Sequence, residues 1–189
     1  MNLNARAVVG LLLLLAFAGL GGKFTSVPIA STLLAQSESE KVAKRILGPV
    51  ATIGEGETDI QFLARVDTGA TTCSLHAAEK RVIDGSKYME DNLGKTIRFR
   101  IENRTGESKW LRRTIVEIRK IRTSEGEETR YLVPMTLLCN DVQREVLVSL
   151  NDRSRMSYAM LLGRNFLAGE FVVDVTDAEK SLDLLASEL

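Results

Sequence analysis

The strand-like run Phe62-Leu63-Ala64-Arg65-Val66 goes straight into the turn Asp67-Thr68-Gly69-Ala70, and no other feature limits the possible folds as strongly. It presents an acid in a tight, glycine-containing turn at a strand end. Asp, Thr and Gly are all ordinary turn residues, so the tripeptide alone says little. A second element far downstream adds weight: Met160-Leu161-Leu162-Gly163-Arg164-Asn165-Phe166-Leu167, an apolar run closed by Gly-Arg-Asn and then by more apolar residues. Between the two, the chain reads as short strands. Lys95 to Ile101 alternates polar and apolar residues at period two, Asn103-Arg104-Thr105-Gly106 breaks the pattern, and Trp110 to Ile121 resumes it, which is a hairpin signature. Thr123 to Glu127 is another turn cluster, followed by strand-like Arg130 to Leu138 and Glu145 to Leu150. Consecutive strands at short spacing predict an all-β fold, a small closed barrel. Helix is expected only in Ala77 to Tyr88, in Asn165 to Gly169 and in a C-terminal stretch from Ala178.

The catalytic-looking turn followed by a hydrophobic-hydrophobic-Gly-Arg segment, in this order, resembles the retropepsin family of aspartic peptidases. The closer resemblance is to a bacterial branch labelled ATP-dependent zinc proteases. There Asp-Thr-Gly-Ala is followed by Ser-Leu-His-Ala, here Ser74-Leu75-His76-Ala77. Leu150-Asn151-Asp152-Arg153-Ser154-Arg155-Met156 before the Gly-Arg segment and Phe171-Val172-Val173-Asp174-Val175 after it also match that branch. The resemblance spans roughly residues 45 to 176 and implies a retropepsin-like barrel with one short helix beneath the active site.

The branch label itself is not supported by the residues. A zinc hydrolase usually needs three protein ligands, often from His-Glu-x-x-His, and the chain has a single His. A site using His76, Asp67 and the two cysteines would lack the usual ligand spacing. A Gly-x-x-x-x-Gly-Lys-Ser/Thr phosphate loop is absent as well. No metal and no cofactor are expected, and His76 reads as a structural hydrogen-bonding residue.

Composition limits the remaining possibilities. At 189 residues and 44% hydrophobic content the chain can bury one good core. Its 25 basic and 25 acidic residues cancel, leaving no overall field to attract nucleic acid. Arg6 followed by the uncharged stretch Ala7 to Gly22 reads as a signal peptide or a membrane anchor, with the cleavage site placed after Ala35 or Ala30. The expected organisation is therefore a targeting segment over 1–35, a linker over 36–44, a peptidase domain over 45–176 and a tail over 177–189. Either form of targeting puts the domain outside the cytoplasm, in the periplasm or cell envelope, with a possible tether to the inner membrane. Cys73 and Cys139 fit an exported chain as a disulfide or as two separate buried thiols.

The turn is not duplicated, whereas activating water by this route needs two carboxylates close together. In the retropepsin family a two-fold homodimer solves this, so the resemblance implies that Asp67 meets Asp67 of a second copy and that the pair shares one proton. It also implies roles for the neighbours. The Thr68 hydroxyl would lock the two turns across the axis. Gly69 would let substrate backbone approach without a Cβ in the way, and Ala70 would keep the floor small. Leu161 and Leu162 read as barrel core, and Gly163 as a site of close packing behind the turn. Arg164 in retroviral relatives pairs with an acid just after the turn, a place held here by Thr71 and Thr72, so its partner is not given by the sequence.

A glycine-containing hairpin should cover the substrate. Ile118 to Tyr131, with its tip at Ser124-Glu125-Gly126, is one candidate, and Gly126 would then contact substrate. The hairpin around Gly106 is the other, with Trp110 as a lid anchor or as plain core. The functional expectation is an aspartic endopeptidase acting on protein or peptide. The alternative is a retropepsin-fold module that binds a peptide or an envelope partner without cleaving it.

Overall fold

The computed structural model describes residues 43–123 and 126–176. The expected targeting segment, most of the linker, the hairpin tip Ser124-Glu125 and the tail beyond 176 lie outside the described residues. In chain order the strands are β1 (Arg45–Leu47), β2 (Val50–Glu55), β3 (Gln61–Val66), β4 (Cys73–His76), β5 (Ala78–Val82), β6 (Thr96–Glu102), β7 (Ser108–Thr114), β8 (Glu117–Thr123), β9 (Gly126–Cys139), β10 (Val142–Asn151), β11 (Met160–Leu162) and β12 (Phe171–Val173). One short helix, α1 (Arg164–Leu167), lies between β11 and β12. The class is all-β.

The main sheet runs β10-β4-β11-β3-β2-β9-β8, and β10 also pairs with β9. Six of its strands therefore close on themselves as a ring, and β8 stands outside the ring on the far end of the long β9. The expected barrel is present but is only part of the molecule. A three-stranded antiparallel sheet β5-β6-β7 and a parallel pair β1-β12 lie outside it.

Pattern explains the best-formed elements. In β6 the apolar positions Ile97, Phe99 and Ile101 are fully buried while Thr96, Arg98, Arg100 and Glu102 are not, as a half-buried strand should be. In β3, Phe62, Leu63 and Ala64 are buried in succession, because β3 lies between β11 and β2 inside the ring. Phe62, Ala64 and Val66 join one core that includes Ile53, Leu75, Met135, Val148, Leu162 and Phe166.

Two expectations fail for tertiary reasons. Ala77 to Tyr88 is not helical; its first part is β5, which pairs with β6 through a register shift between Ala78 and Arg81. Glu79 and Asp84 both take positive φ, which a helix cannot accommodate. The strand-like stretch from Trp110 to Ile121 is divided between two strands, β7 and β8. Ile115 donates its backbone N–H to Lys95 O and Val116 to Leu132 O, so the chain leaves the small sheet and enters the large one at that point. Trp110 is neither core nor lid anchor: it is 42% exposed, with the Arg98 guanidinium 3.8 Å above its ring. Cys73 and Cys139 are separate buried thiols, not a disulfide, and burial pushes each up to about 11.

Candidate active site

β3 and β11 run parallel and end together, with Leu162 opposite Val66. Asp67 continues the pairing by donating its backbone N–H to Leu162 O at 3.0 Å. The chain then turns, and the Asp67 carboxylate itself shapes the turn. Its Oδ1 accepts the N–H of Gly69 at 2.9 Å and of Ala70 at 3.1 Å. Oδ2 has no hydrogen-bond partner among the described residues and is free for water or substrate. Thr68, Gly69 and Thr71 are exposed, whereas Asp67 and Ala70 are half-buried.

The Gly-Arg segment holds this turn from beneath. A Cβ on Gly163 would sit 2.5 Å from Thr72 C and 2.6 Å from Thr72 O, so no other residue permits this approach. Arg164 donates through Nη1 to the carbonyls of Thr68 (3.1 Å) and Gly69 (2.9 Å), and through Nη2 to Thr71 Oγ1 (3.2 Å). The partner the sequence did not give is thus the turn's own backbone. The guanidinium's donors are taken up by two carbonyls and a hydroxyl of the turn, so the arrangement uses no acid after the turn. Leu162 is fully buried in the core, but Leu161, expected there too, is only half-buried and lines the neighbouring cavity.

Asn165 was not identified from the sequence. Its Oδ1 accepts from the Cys73 backbone N–H at 3.0 Å and lies 3.2 Å from Cys73 Sγ, and its Nδ2 donates to Leu147 O. One side chain therefore ties α1 to the strand after the turn and to β10. Its place in the Gly-Arg-Asn triplet was the only available signal.

A cavity of about 350 Å³ opens beside the turn, lined by Ala70, Thr71 and Thr72 on one side and by Arg119 to Arg122 of β8 on the other. Asp67 is not itself a lining residue; the cavity begins at the far end of its turn. Arg119 Nη1 reaches Thr72 Oγ1 at 3.4 Å. The β8–β9 hairpin therefore overhangs the turn as a covering flap would. The competing Gly106 hairpin is placed differently: Arg104 hydrogen-bonds Ser157 O, and the hollow it borders contains His76 and Arg153. Gly126, at φ +135°, starts β9 beside the hairpin tip.

The cavity is strongly basic. Arg119, Lys120, Arg122, Arg130 and Arg153 line it, and no carboxylate does. Glu117 pairs with Arg119 and Glu128 with Arg130, whereas Arg153 has no ion pair among the described residues and donates Nε to Tyr158 O. Burial lowers the Arg153 guanidinium below its ordinary value, nearby Arg130 adds to this, and Asp67 opposes it. His76 Nδ1 accepts the Arg153 backbone N–H at 2.9 Å, so this nitrogen carries no proton. Its 3.5 Å approach to Asp152 Oδ1 is then no ion pair through that atom. Among the described residues no three His, Cys, Asp or Glu side chains gather as a metal cluster.

The sequence model of the RimB-like family, described as retropepsin-like aspartic endopeptidase RimB, matches residues 53–181. Curated relatives named "Probable alpha-L-glutamate ligase" include one from Desulfotalea psychrophila, 30% identical over 72% of this chain and 29% of its own length. Another, from Shewanella pealeana, is 33% identical over 61% of this chain and 25% of its own length. The chain thus spans less than a third of these relatives. A solved structure, the protein Lpg0085 of unknown function from Legionella pneumophila, superposes with a TM-score of 0.57 at 25% identity, covering 71% of this chain and 95% of that one.

Proposed function

The chain belongs to the RimB-like family of retropepsin-like aspartic endopeptidases, and we propose that it hydrolyses peptide bonds in acidic protein segments as a homodimer. The observation that carries this reading is the Asp67 turn. One carboxylate oxygen is fixed by two backbone N–H groups and the other is free, while Arg164 holds the turn rigid from below. Thr68 and Gly69 remain exposed, available to a second copy carrying the second Asp67.

In such a pair the two carboxylates hold one proton between them, as aspartic proteases do generally. The ionised member takes a proton from water while the water oxygen bonds to the substrate carbonyl carbon. The protonated member gives its proton to the carbonyl oxygen. Collapse of the tetrahedral intermediate then breaks the C–N bond, and the nitrogen leaves with a proton from the pair. The β8–β9 hairpin closes over the peptide during this sequence.

Charge supports an acidic substrate, because the cations beside the turn line a cavity that holds no acid. The relatives' printed name fits the same chemistry, since attaching glutamate makes an acidic chain. Their ligase activity is not transferred, as this chain covers so little of their length. The run Ala7 to Gly22 after Arg6 supports a place outside the cytoplasm, tethered or released.

The test is cleavage of an unfolded acidic protein by wild type and by Asp67→Ala across acid and neutral pH. Wild type should cleave with a bell-shaped pH profile, and the variant should lose at least about a thousand-fold in rate. Cleavage that survives in Asp67→Ala removes the assignment.

A further inference from the structure

The small sheet β5-β6-β7 lies outside the ring. One of its faces carries Ile97, Phe99 and Leu111 into the core. The other face is turned to solvent. On it Arg81, Arg98 and Arg112 are register partners, one on each strand, and all three are exposed. In the row on one side of them Trp110 stands opposite Arg100. In the row on the other side Ile83, 40% exposed, donates its backbone N–H to Thr96 O. Two apolar side chains thus flank a line of three cations.

Such a row destabilises the sheet that carries it. Side chains directly opposite on neighbouring strands are about 5 Å apart at Cβ, and like charges there repel. Other sheet arginines are given carboxylates: Arg113 has Glu55 and Glu57, Arg119 has Glu117 and Arg130 has Glu128. On this face the acids Glu79 and Glu102 are both taken by Arg100, and Arg81, Arg98 and Arg112 have no carboxylate partner among the described residues. Trp110 is a second departure, a large aromatic ring left exposed on a cationic face. The Arg98 guanidinium over that ring joins the two features into one. A line of cations without anions, bordered by apolar groups, is complementary to a surface that is anionic outside and apolar beneath.

We propose that the outer face of β5-β6-β7 docks the domain on an anionic phospholipid surface. Arg81, Arg98 and Arg112 meet lipid phosphates, while their apolar stems, Ile83 and the Trp110 ring lie in the headgroup layer, the depth that amphipathic aromatic rings favour. Each cation near such a surface adds its own share to the attraction. Single-stranded nucleic acid also binds cations and aromatic rings, but a base would have to displace Arg98 from the ring face it covers, whereas a headgroup layer takes ring and cation together. The run Ala7 to Gly22, read as an export or anchor segment, directs the same chain to a membrane. The docking face is independent of whether the Asp67 turn cleaves peptides.

Trp110 is the only tryptophan of the chain, so its emission reports on this face in the full-length protein. The probes are vesicles of equimolar phosphatidylglycerol and phosphatidylcholine, and vesicles of phosphatidylcholine alone. The anionic vesicles should shift Trp110 emission to shorter wavelength and shield it from acrylamide, and the neutral vesicles should do neither. Raising salt to about 0.5 M should reverse the shift, because exposed charges are then screened within a few ångströms. Arg81→Gln and Arg112→Gln should each weaken the titration about 5-fold, and the two together about 25-fold. Both substitutions should leave the melting temperature unchanged or raise it, since they relieve the like-charge row. If the double variant fails to fold, the two single variants carry the test.

Unchanged Trp110 emission overturns the inference even where the protein sediments with anionic vesicles, because attachment through the N-terminal segment alone leaves this ring in water. A shift of equal size on neutral vesicles, or in the folded arginine variants, overturns it as well. Quenching of Trp110 by single-stranded oligouridylate, with no response to anionic vesicles, would assign the face to nucleic acid instead.

Discussion

At the scale of single residues, the site depends on how closely two backbones approach. Gly163 is the point of contact, since any Cβ there would overlap the carbonyl of Thr72 and come within 2.9 Å of Cys73 N. These are backbone atoms and cannot rotate away. Gly163→Ala is therefore expected to destabilise the fold by at least about 2 kcal/mol, measured by urea unfolding, and to lower activity even where the protein remains folded. Retained stability would mean that the turn can shift. The glycine was legible from its motif, but the atoms it approaches were not. Arg164 shows the same division: its type and position were readable, while its carbonyl partners depend on a turn 95 residues earlier in the chain being folded against it.

At the scale of elements, the β8–β9 hairpin is the part of the molecule suited to move. Among the described residues β8 pairs only with β9, through a ladder from Glu117–Leu132 to Thr123–Gly126, and lies outside the closed ring. Its residues line the cavity beside Asp67 without joining the ring. Gly126 takes a φ of +135°, which strains any residue with a Cβ. Gly126→Ala should thus lower kcat/KM by about 10-fold with little change in melting temperature, because Gly126 is exposed at the start of β9, away from the core residues further along the strand. A fall in melting temperature with unchanged kinetics would show that the hairpin is structural. The sequence located this hairpin from its turn cluster but offered the Gly106 hairpin as an equal. Only the packing separates them, since Arg104 is fastened to Ser157 O on another part of the surface.

At the scale of the whole molecule, the proposed chemistry is incomplete in one copy. The charged residues that line the cavity are all cations, and the turn presents a single carboxylate. Activity per mole should consequently fall on dilution, and mixing wild type with an equal amount of Asp67→Ala should reduce it toward about one quarter if subunits exchange at random, because only wild-type pairs carry both acids. A reduction to one half would instead indicate an enzyme that works as independent single chains.

The sequence by itself determined what local chemistry determines. Alternation at period two set β6, the turn residues around Gly106 set its end and the start of a hairpin with β7, and the Asp-Thr-Gly-Ala and Gly-Arg segments identified the two halves of the site. Tertiary structure decided whatever depends on groups brought together from distant positions. Ala77 to Tyr88 was helix-compatible locally, yet pairing with β6 made its first part a strand. Net charge summed to zero over the chain, yet folding gathered five cations around one cavity. Ser74 and Arg153 both line that cavity from separate elements, and no spacing rule brings them together. The parallel pairing of β4 with β10 does so, placing Ser74 beside Ser149 four residues before Arg153. A hydrogen bond or a charge is local in space and not in sequence, so the partners of Arg164, Asn165 and Arg153 could be known only once the barrel had closed.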